Sequence, residues 1–249
     1  MRGHMKIKIL YEDKDILAID KPSGILVHPD QKSKEKTILD LFKKKYPKLE
    51  IVHRLDRETS GVLLLAKNEK AHEFLKNQFQ NRTIKKIYNA IVNGFVKDEH
   101  GFIKKPIGRS PTDFRKWLAG RGARGELREA ETFYKVLKRF EITTPKPLLN
   151  KEGKNSSRPA KGEWPKAEGV KYTYLEVRPK TGRTHQIRVH LKFVNHPVVC
   201  DSLYNPNNPC PKGLKRLALH ACSIEFKNLK GEIVKVESPL PLQFRKIVK

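Results

Sequence analysis

Residues 51–67 read IVHRLDRETSGVLLLAK, and this stretch decides the fold. It begins as a short apolar strand, breaks into a polar turn, and continues as an apolar run from Val62 to Ala66. An unbroken apolar run after a glycine is typical of a strand that is covered on both faces. Asp56 is therefore predicted to lie on a turn between two core strands, held by a rigid scaffold without being buried.

The predicted turn gives Asp56 a chemical interpretation. Arg54 and Arg57 are near it in sequence, and nearby positive charge favours the ionised form of a carboxyl group. An ionised aspartate is a poor proton donor but is suited to act as a nucleophile or a base. The alternative is structural, because an aspartate in a turn commonly caps that turn and pairs with an arginine.

The chain has 249 residues, of which 53 are Lys or Arg and 27 are Asp or Glu, so its net charge is +26. Such a charge indicates a partner that carries phosphate groups, either a nucleic acid or, less often, an anionic membrane. No apolar run approaches the roughly 18 residues of a membrane span, and residues 1–10 lack the apolar core of a signal peptide. We therefore expect a cytoplasmic protein that binds nucleic acid and no membrane. Residues 1–5 are interpreted as a cloning scar.

The three cysteines, Cys200, Cys210 and Cys222, are odd in number and widely spaced. None of the pairs has the C-x-x-C spacing of a zinc site, so no metal site is predicted. A mixed site with nearby histidines is the alternative. These histidines are His185, His190 and His196. Reduced thiols in a cytosolic protein are the simpler interpretation.

Strands and helices are predicted to follow one another irregularly, which indicates an α+β fold and not a repeated βαβ unit. Helices are expected after Thr37, after Asn68 and after Thr184, because each of these side chains can cap a first turn. The predicted strands outside the central stretch are 7–10, 16–20, 83–94, 131–140, 172–178, 217–226 and 232–237. The last two are expected to form a hairpin.

Two segments lack the pattern of a core element. Residues 108–125 are basic and rich in glycine, with Phe114 and Trp117 among the arginines. They are interpreted either as a solvated loop or as a flexible arm along RNA, since arginine and aromatic planes both stack on unpaired bases. Residues 143–169 are rich in Pro, Lys, Gly, Asn and Ser, a composition that cannot form a core. They are predicted to be a surface insertion.

A second polar motif, TGRTHQIRVHL, covers residues 181–191. Gly182 is expected to end a turn, and Ile187 and Leu191 are expected to continue a helix. Arg183 would then project from the turn where the helix begins. A surface arginine that binds phosphate is the alternative role for this residue.

These motifs together resemble the RluA family of pseudouridine synthases. The segments HRLD at 53–56, TSG at 59–61 and AK at 66–67 are similar to the active-site signature of that family. Further similar segments are residues 11–28, 86–88, 182–188 and 219–221. The resemblance implies the pseudouridine-synthase fold, a mixed central sheet with flanking helices and a central catalytic cleft. It also implies a single catalytic domain over residues 6–249, without a separate N-terminal RNA-binding domain.

The resemblance implies roles for five residues. Asp56 would be the catalytic carboxylate, and Tyr88 would pack on the target base and help to take its C5 proton. Arg183 would pair with Asp56 and keep it ionised. Arg54 would fill the space that the base leaves, and Leu219 would pack near the uracil. Half-buried packing is the alternative for Tyr88, and a position in the core is the alternative for Leu219.

The implied reaction is the isomerisation of uridine in RNA, in which the C1′–N1 bond breaks and C5 bonds to C1′. Asp56 would attack the sugar or remove its 2′ proton. The target base must be unpaired or flipped out, because it cannot be reached inside a helix. No metal, nucleotide or redox cofactor is expected. The expected partner is ribosomal or transfer RNA, with large-subunit ribosomal RNA preferred, and not DNA. The protein is expected to be a monomer.

Two other functions are compatible with parts of this pattern. An inactive RNA-binding protein of this fold would be expected to have lost Asp56, Tyr88 or Arg183, and all three are present. A glycosylase or nuclease would use the same carboxylate but would release free base or cut the chain. A pseudouridine synthase leaves the mass of the RNA unchanged.

Overall fold

The computed structural model describes residues 7–29, 35–144 and 168–249, and its strands belong to one large and one small sheet. The strands are β1 (Ile9–Glu12), β2 (Ile16–Lys21), β3 (Glu50–Ile51), β4 (Ser60–Ala66), β5 (Lys85–Asn93), β6 (His100–Lys104), β7 (Ile107–Arg109), β8 (Trp117–Ala119), β9 (Arg124–Arg128), β10 (Glu131–Thr144), β11 (Glu168–Pro179), β12 (Leu219–Lys227) and β13 (Ile233–Glu237). The helices are α1 (Ile38–Phe42), α2 (Glu69–Gln80), α3 (Gln186–Phe193) and α4 (Leu242–Val248). No helix in these described ranges is long and apolar enough to cross a membrane. The segment interpreted as a cloning scar, residues 1–5, lies outside them.

The large sheet has ten strands of mixed direction, which confirms the predicted α+β class and mixed central sheet. Its hydrogen-bonded order is β1-β2-β4-β12-β5-β11-β10-β6, with β13 paired to β12 and β3 paired to β4. Strands β4 and β12 run parallel, and the remaining pairs of the sheet are antiparallel. Residues that are far apart in sequence therefore meet where β4, β12 and β5 lie side by side.

Strand β4 lies in the core, as its apolar run predicts. All seven of its residues are buried, and successive side chains point to opposite faces of the sheet. Leu64 packs in one cluster with Leu75 of α2, whereas Leu63 packs in another with Ile38 of α1. Full burial of a leucine stabilises a fold by about 1.5–3 kcal/mol. Packing on both faces therefore makes β4 a rigid support for the loop before it.

The predicted caps of the first two helices are confirmed. The Thr37 hydroxyl accepts a hydrogen bond from the Asp40 N–H at 3.3 Å, and the Asp40 carboxylate accepts one from the Thr37 N–H at 2.9 Å. The Asn68 Oδ1 accepts a hydrogen bond from the Ala71 N–H at 2.9 Å. These bonds satisfy N–H groups that a helix cannot pair within itself.

Helix α3 begins differently from the prediction. The residue at its cap position is His185 and not Thr184, and His185 has φ of 55° and makes no side-chain cap bond. The Gln186 side chain organises this turn, because its Oε1 accepts hydrogen bonds from the Thr181 hydroxyl at 2.7 Å and from the Arg183 N–H at 3.0 Å. The turn at the start of the motif 181–191 is thus held together by the side chain of Gln186, the first residue of α3.

Residues 108–125 were expected to be a solvated loop or a flexible arm, but they contain parts of three short strands that residues 110–116 and 120–123 connect. Strands β7, β8 and β9 form a three-stranded sheet in the order β8-β7-β9. Ala119 of β8, Val189 of α3 and Tyr204 share one buried cluster, and the Trp117 N–H donates to the Tyr204 hydroxyl at 3.0 Å. The small sheet is therefore packed on α3. Its strands have three to five residues, too few to show a clear alternation in sequence.

The two long strands and the two terminal strands each form an antiparallel pair. Strands β10 and β11 are paired from Thr132 with Pro179 to Thr144 with Glu168. Both ends of the predicted surface insertion at 143–169 therefore belong to these strands, and residues 145–167 lie outside the described residues. Strands β12 and β13 pair antiparallel, which confirms the predicted terminal hairpin.

The cysteines differ from the prediction of three reduced thiols. Cys200 and Cys210 form a disulfide, with their Cα atoms 5.1 Å apart, and Cys222 is free. The Asp201 carboxylate accepts hydrogen bonds from the N–H groups of Leu203 and Tyr204, both at 3.0 Å. The chain therefore turns directly after Cys200. The spacing of the cysteines in the sequence does not reveal this turn.

Candidate active site

A cleft of about 430 Å³ opens between the loop from β3 to β4, the start of β5 and the loop from β11 to α3. Strand β12 lies between β4 and β5 and also contributes to the cleft wall. All five residues to which the sequence assigns site roles line this cleft. They are Arg54, Asp56, Tyr88, Arg183 and Leu219. The sheet order therefore brings the predicted residues together from distant parts of the chain.

Lys21 fixes the loop that carries Asp56. The Lys21 side chain is fully buried at the end of β2, and its ammonium group donates to the carbonyl oxygens of Pro22, Ile25 and Arg57 at 2.8–2.9 Å. An ammonium group has three donor hydrogens, so these acceptors satisfy all of them. The bond to Arg57 ties the loop to β2 at the residue that follows Asp56.

His53 fixes the start of the same loop. Its Nε2 accepts a hydrogen bond from the Leu64 N–H at 2.9 Å, and its ring stacks on Phe79 with centroids 4.8 Å apart. Burial lowers the pKa of His53 to about 3, and the charge of Lys86 acts in the same direction. The ring is therefore neutral at physiological pH, as its acceptor role requires.

Arg188, in the first turn of α3, holds the Asp56 carboxylate. Its Nη1 donates to Asp56 Oδ2 at 3.1 Å, while its Nε and Nη2 donate to both carboxylate oxygens of Asp201 at 2.7 and 2.8 Å. The Arg188 side chain is only 7% exposed. Burial opposes its charge, but the hydrogen bonds to Asp201 and the charge of Asp56 raise the pKa of Arg188. A permanent cation therefore lies at hydrogen-bond distance from the Asp56 carboxylate.

Arg183 does not make the predicted pair with Asp56. Its Nε donates to the Glu129 carbonyl oxygen at 3.0 Å, and its side chain is half-buried in the cleft wall. Arg183 precedes the helix, whereas Arg188 lies inside it on the buried face. The motif GRTHQIR contains both arginines, and the start of the helix decides which of them reaches the carboxylate.

The arginines close to Asp56 in sequence also lie elsewhere. Arg57 pairs with Glu35 at 2.9 Å and with Glu58 at 3.7 Å. Arg54 is exposed at the cleft. The arginine in direct contact with Asp56 is thus Arg188, and not Arg54 or Arg57.

His185 is a second neighbour of Asp56. Its Nε2 lies 3.9 Å from Asp56 Oδ2, and its Nδ1 lies 2.8 Å from the Tyr204 hydroxyl. Because that hydroxyl already accepts the Trp117 N–H, its own hydrogen is available for Nδ1. Burial lowers the pKa of His185, so the ring is neutral. The hydrogen-bond network therefore assigns the ring proton to Nε2, the nitrogen that faces Asp56.

Tyr88 and Leu219 supply an aromatic and an aliphatic wall of the cleft. Burial and, second to it, the charge of Asp56 raise the pKa of Tyr88, so its hydroxyl stays protonated. Leu219 is 3% exposed and packs in the same apolar cluster as Tyr88. The sequence left open whether Leu219 lies in the core or at the cleft. Its side chain does both, because it packs in the core and also lines the cleft.

Four residues of the site were not predicted from the sequence to contact Asp56 or to support it. Arg188 and His185 lie within the motif at 181–191, where only Arg183 was expected to reach Asp56. Asp201 and Tyr204 lie in the turn after Cys200, and no local pattern links that turn to Arg188. Within the described ranges, no group of three or more His, Cys, Asp or Glu is arranged to hold a metal ion.

The chain is similar in sequence to known proteins over most of its length. The family of RNA pseudouridylate synthases matches residues 15–193. The RNA pseudouridine synthase YlyB of Bacillus subtilis (strain 168) is 32% identical over 254 residues, which cover 98% of this chain and 72% of that protein. Ribosomal large subunit pseudouridine synthase D of Neisseria meningitidis serogroup B is 34% identical over 253 residues, covering 95% of this chain. This chain spans only 59% of the length of that relative.

Two solved human structures have a similar fold, which confirms the predicted pseudouridine-synthase fold. Human RNA Pseudouridylate Synthase Domain Containing 4 superposes with a TM-score of 0.67 and 26% identity, over 95% of this chain and 90% of that chain. Human RNA Pseudouridylate Synthase Domain Containing 1 has a TM-score of 0.73 and 24% identity, over 97% of this chain and 86% of that chain. With the family match over residues 15–193, these findings show that the chain belongs to the RluA family of RNA pseudouridine synthases.

Proposed function

We propose that this protein is an RNA pseudouridine synthase that converts uridine to pseudouridine in large-subunit ribosomal RNA. The observation that carries the proposal is the hydrogen bond from Arg188 to Asp56, inside a cleft that Tyr88 lines. It fixes an anion beside an aromatic ring, where the sugar and the base of one nucleotide can be bound together. Family membership supports the reaction, and the relative named ribosomal large subunit pseudouridine synthase D supports the choice of RNA.

The reaction needs a carboxylate that is ionised before the substrate arrives. Asp56 either attacks C1′ of the ribose or takes its 2′ proton, and in both cases the C1′–N1 bond breaks and its electron pair leaves with the uracil ring. The ring then turns and C5 bonds to C1′. In the first route the bond between Asp56 and C1′ breaks at this step and the carboxylate is released, and in the second Asp56 returns the proton to C2′. Finally, C5 loses its proton and N1 gains one. Arg188 serves both routes, because its charged hydrogen bond holds the Asp56 carboxylate in place. Since Arg188 binds Oδ2, we assign Oδ1 to the sugar.

Tyr88 is assigned to the base. Its ring offers a stacking face to an unpaired uracil, and its protonated hydroxyl can donate to a uracil carbonyl oxygen. Because the pKa of Tyr88 is raised, almost none of the phenolate that could accept a proton is present at neutral pH. Tyr88 therefore holds the base in our proposal, and removal of the C5 proton by Tyr88 alone is disfavoured.

The cleft carries the charge that RNA requires. Six Lys or Arg side chains line it, and Asp56 is the one carboxylate among the described residues of its wall. The six are Arg54, Arg82, Lys86, Lys180, Arg183 and Arg188. A uridine inside a helix must be flipped out to enter. We assign the exposed Arg54 to the space that the base leaves.

Tritium release from RNA that contains [5-³H]uridine tests the reaction. The matched variant is Asp56→Asn, which keeps the shape of the side chain and removes its charge. We expect release by the wild-type protein with the RNA intact, and release slower by at least about 100-fold with the variant. Free uracil or shortened RNA would indicate a glycosylase or nuclease. No release by the wild-type protein would indicate an RNA-binding protein without this activity.

A separate experiment tests the choice of RNA. Carbodiimide-dependent stops of reverse transcription mark pseudouridines in cells with and without the gene. We expect stops in large-subunit ribosomal RNA to disappear when the gene is removed. Stops lost only in transfer RNA would reject the proposed target and leave the proposed reaction intact.

A further inference from the structure

We infer that Lys86 binds a phosphate group of the target nucleotide or of its direct neighbour in the RNA, an inference that rests on the proposed function. Lys86 lies near the start of β5 and lines the cleft. Its Nζ donates to the Thr181 carbonyl oxygen at 3.2 Å. Within the described part of the chain, no carboxylate lies at ion-pair distance from this ammonium group, and its one hydrogen-bond acceptor is uncharged.

The surroundings of Lys86 favour an anionic ligand. The side chain is half-buried, and removing an ammonium group from water costs free energy unless opposite charge or hydrogen bonds replace the water. Burial lowers the pKa of Lys86 to about 8, so most copies carry the charge at neutral pH. The Thr181 carbonyl satisfies one of three donor hydrogens. The other two remain available for a ligand.

The position of Lys86 relative to Tyr88 identifies the ligand. Side chains two residues apart on a strand point to the same face, and their Cα atoms are about 7 Å apart. Both side chains line the cleft. A nucleotide whose base rests on Tyr88 therefore carries its own phosphodiester groups within reach of a lysine side chain. Phosphate is the anion that every nucleotide of RNA presents.

Lys85 provides a matched control in the same strand. It directly precedes Lys86, so its side chain points to the opposite face of the sheet. The Lys85 Nζ pairs with Glu225 Oε1 at 2.7 Å, and Lys180 at the cleft pairs with Glu131 at 3.1 Å. These lysines have an acidic partner within the protein. Lys86 differs from them because no acidic side chain among the described residues pairs with it. Its charge is therefore available to an external anion.

The experiment compares Lys86→Gln with Lys85→Gln. Glutamine keeps an N–H donor for the Thr181 carbonyl but carries no charge. Activity is measured as tritium release from unmodified ribosomal and transfer RNA transcripts labelled with [5-³H]uridine. RNA affinity is measured by filter binding at several salt concentrations, in an Asp56→Asn background that prevents turnover.

The charge of Lys86 is expected to appear in both measurements. For Lys86→Gln we expect kcat/KM to fall by about 10- to 100-fold. The slope of log Kd against log salt concentration is expected to become shallower by about 0.7, the value for one contact to a single-stranded phosphate. Lys86→Arg is expected to restore most of both values. Lys85→Gln is expected to stay within about 2-fold of the wild type, as for other exposed pairs.

The salt dependence separates a phosphate contact from a structural role. An unchanged slope for Lys86→Gln overturns the inference even where activity falls, because no contact to a phosphate has then been lost. Lys86→Met, which cannot donate at all, gives the second test: a lower melting temperature with an unchanged slope also overturns it. A wild-type protein that releases no tritium would reject the proposed function, whereas the binding measurement would still decide the role of Lys86.

Discussion

Arg188 links the fold to the chemistry, because one guanidinium group joins two carboxylates. It binds Asp56 with one N–H and Asp201 with two. Asp201 is in turn fixed by the N–H groups of Leu203 and Tyr204. The position of the Asp56 carboxylate is therefore set from the turn after β11 and α3, as well as from the loop on which Asp56 lies.

At the residue scale, Arg188→Lys should impair the reaction more than Arg183→Lys. Lysine keeps the charge but cannot make the planar contacts to both aspartates. We expect kcat to fall by about 100-fold or more for Arg188→Lys, whereas Arg183→Lys should change mainly KM, by less than about 10-fold. Steady-state tritium release measures both constants. A variant at Arg183 that loses kcat while Arg188→Lys keeps it would contradict the assignment of the Asp56 partner.

Removal of the Arg188 charge should also destabilise the fold. Asp201 is buried, and Arg188→Met leaves its carboxylate without a counter-charge. We expect the free energy of unfolding to fall by about 3–5 kcal/mol, measured by urea denaturation. In the double variant Arg188→Met, Asp201→Asn, the amide oxygen can still accept the Leu203 and Tyr204 N–H bonds and position 201 carries no charge, so much of the loss should be recovered. Equal losses in the single and double variants would show that the ion pair is not the cause.

At the element scale, the small sheet β7–β9 is joined to the site through Tyr204. Its hydroxyl accepts the Trp117 N–H of β8 and contacts His185 Nδ1, two groups that would both lose a partner in Tyr204→Phe. We expect a loss of about 1–3 kcal/mol in the free energy of unfolding and faster hydrogen exchange of the Trp117 amide. Urea denaturation and exchange measured by NMR test this. An unchanged exchange rate would show that Tyr204 does not anchor the small sheet.

Elements with a strong local signal were predictable from sequence. The apolar run of 62–66 identified the buried strand β4, and single side chains, Thr37 and Asn68, identified two helix starts. These signals are local, since burial on both faces requires apolar residues and a helix start requires an acceptor. The motif at 53–61 likewise placed Asp56 correctly on a loop at the cleft.

The remaining features depend on contacts that are distant in sequence. The choice between Arg183 and Arg188 is decided by the left-handed conformation of His185, which no composition signal predicts. The strands of the small sheet are short, and they are held by packing on α3 and Tyr204. A glycine-rich basic segment is therefore easily mistaken for a loop when only its own residues are considered.

At the scale of the whole molecule, the cleft exists because β4 and β12 come together from opposite ends of the chain. Gly61 permits this close approach, since a Cβ atom there would overlap the backbone of Ala221. His220 secures the same junction. Its Nδ1 lies 2.8 Å from the Ser60 hydroxyl and its Nε2 lies 3.4 Å from the Ser238 carbonyl oxygen. The sheet therefore contains a buried histidine close to the loop that carries Asp56.

This histidine should make the stability of the molecule sensitive to acid. His220 is 1% exposed, and burial, assisted by the charge of Arg216, lowers its pKa to about 4 against about 6.5 in an unfolded chain. Between these values the unfolded chain binds a proton that the folded protein does not, so stability is lost as the pH falls from about 6.5 to 4, by up to about 1.4 kcal/mol per pH unit. Urea denaturation at pH 7, 6 and 5 should show a shallower pH dependence for His220→Gln than for the wild type. His100→Gln, at an exposed site, should retain the wild-type slope. Parallel losses in the wild type and His220→Gln would assign the acid sensitivity to other groups.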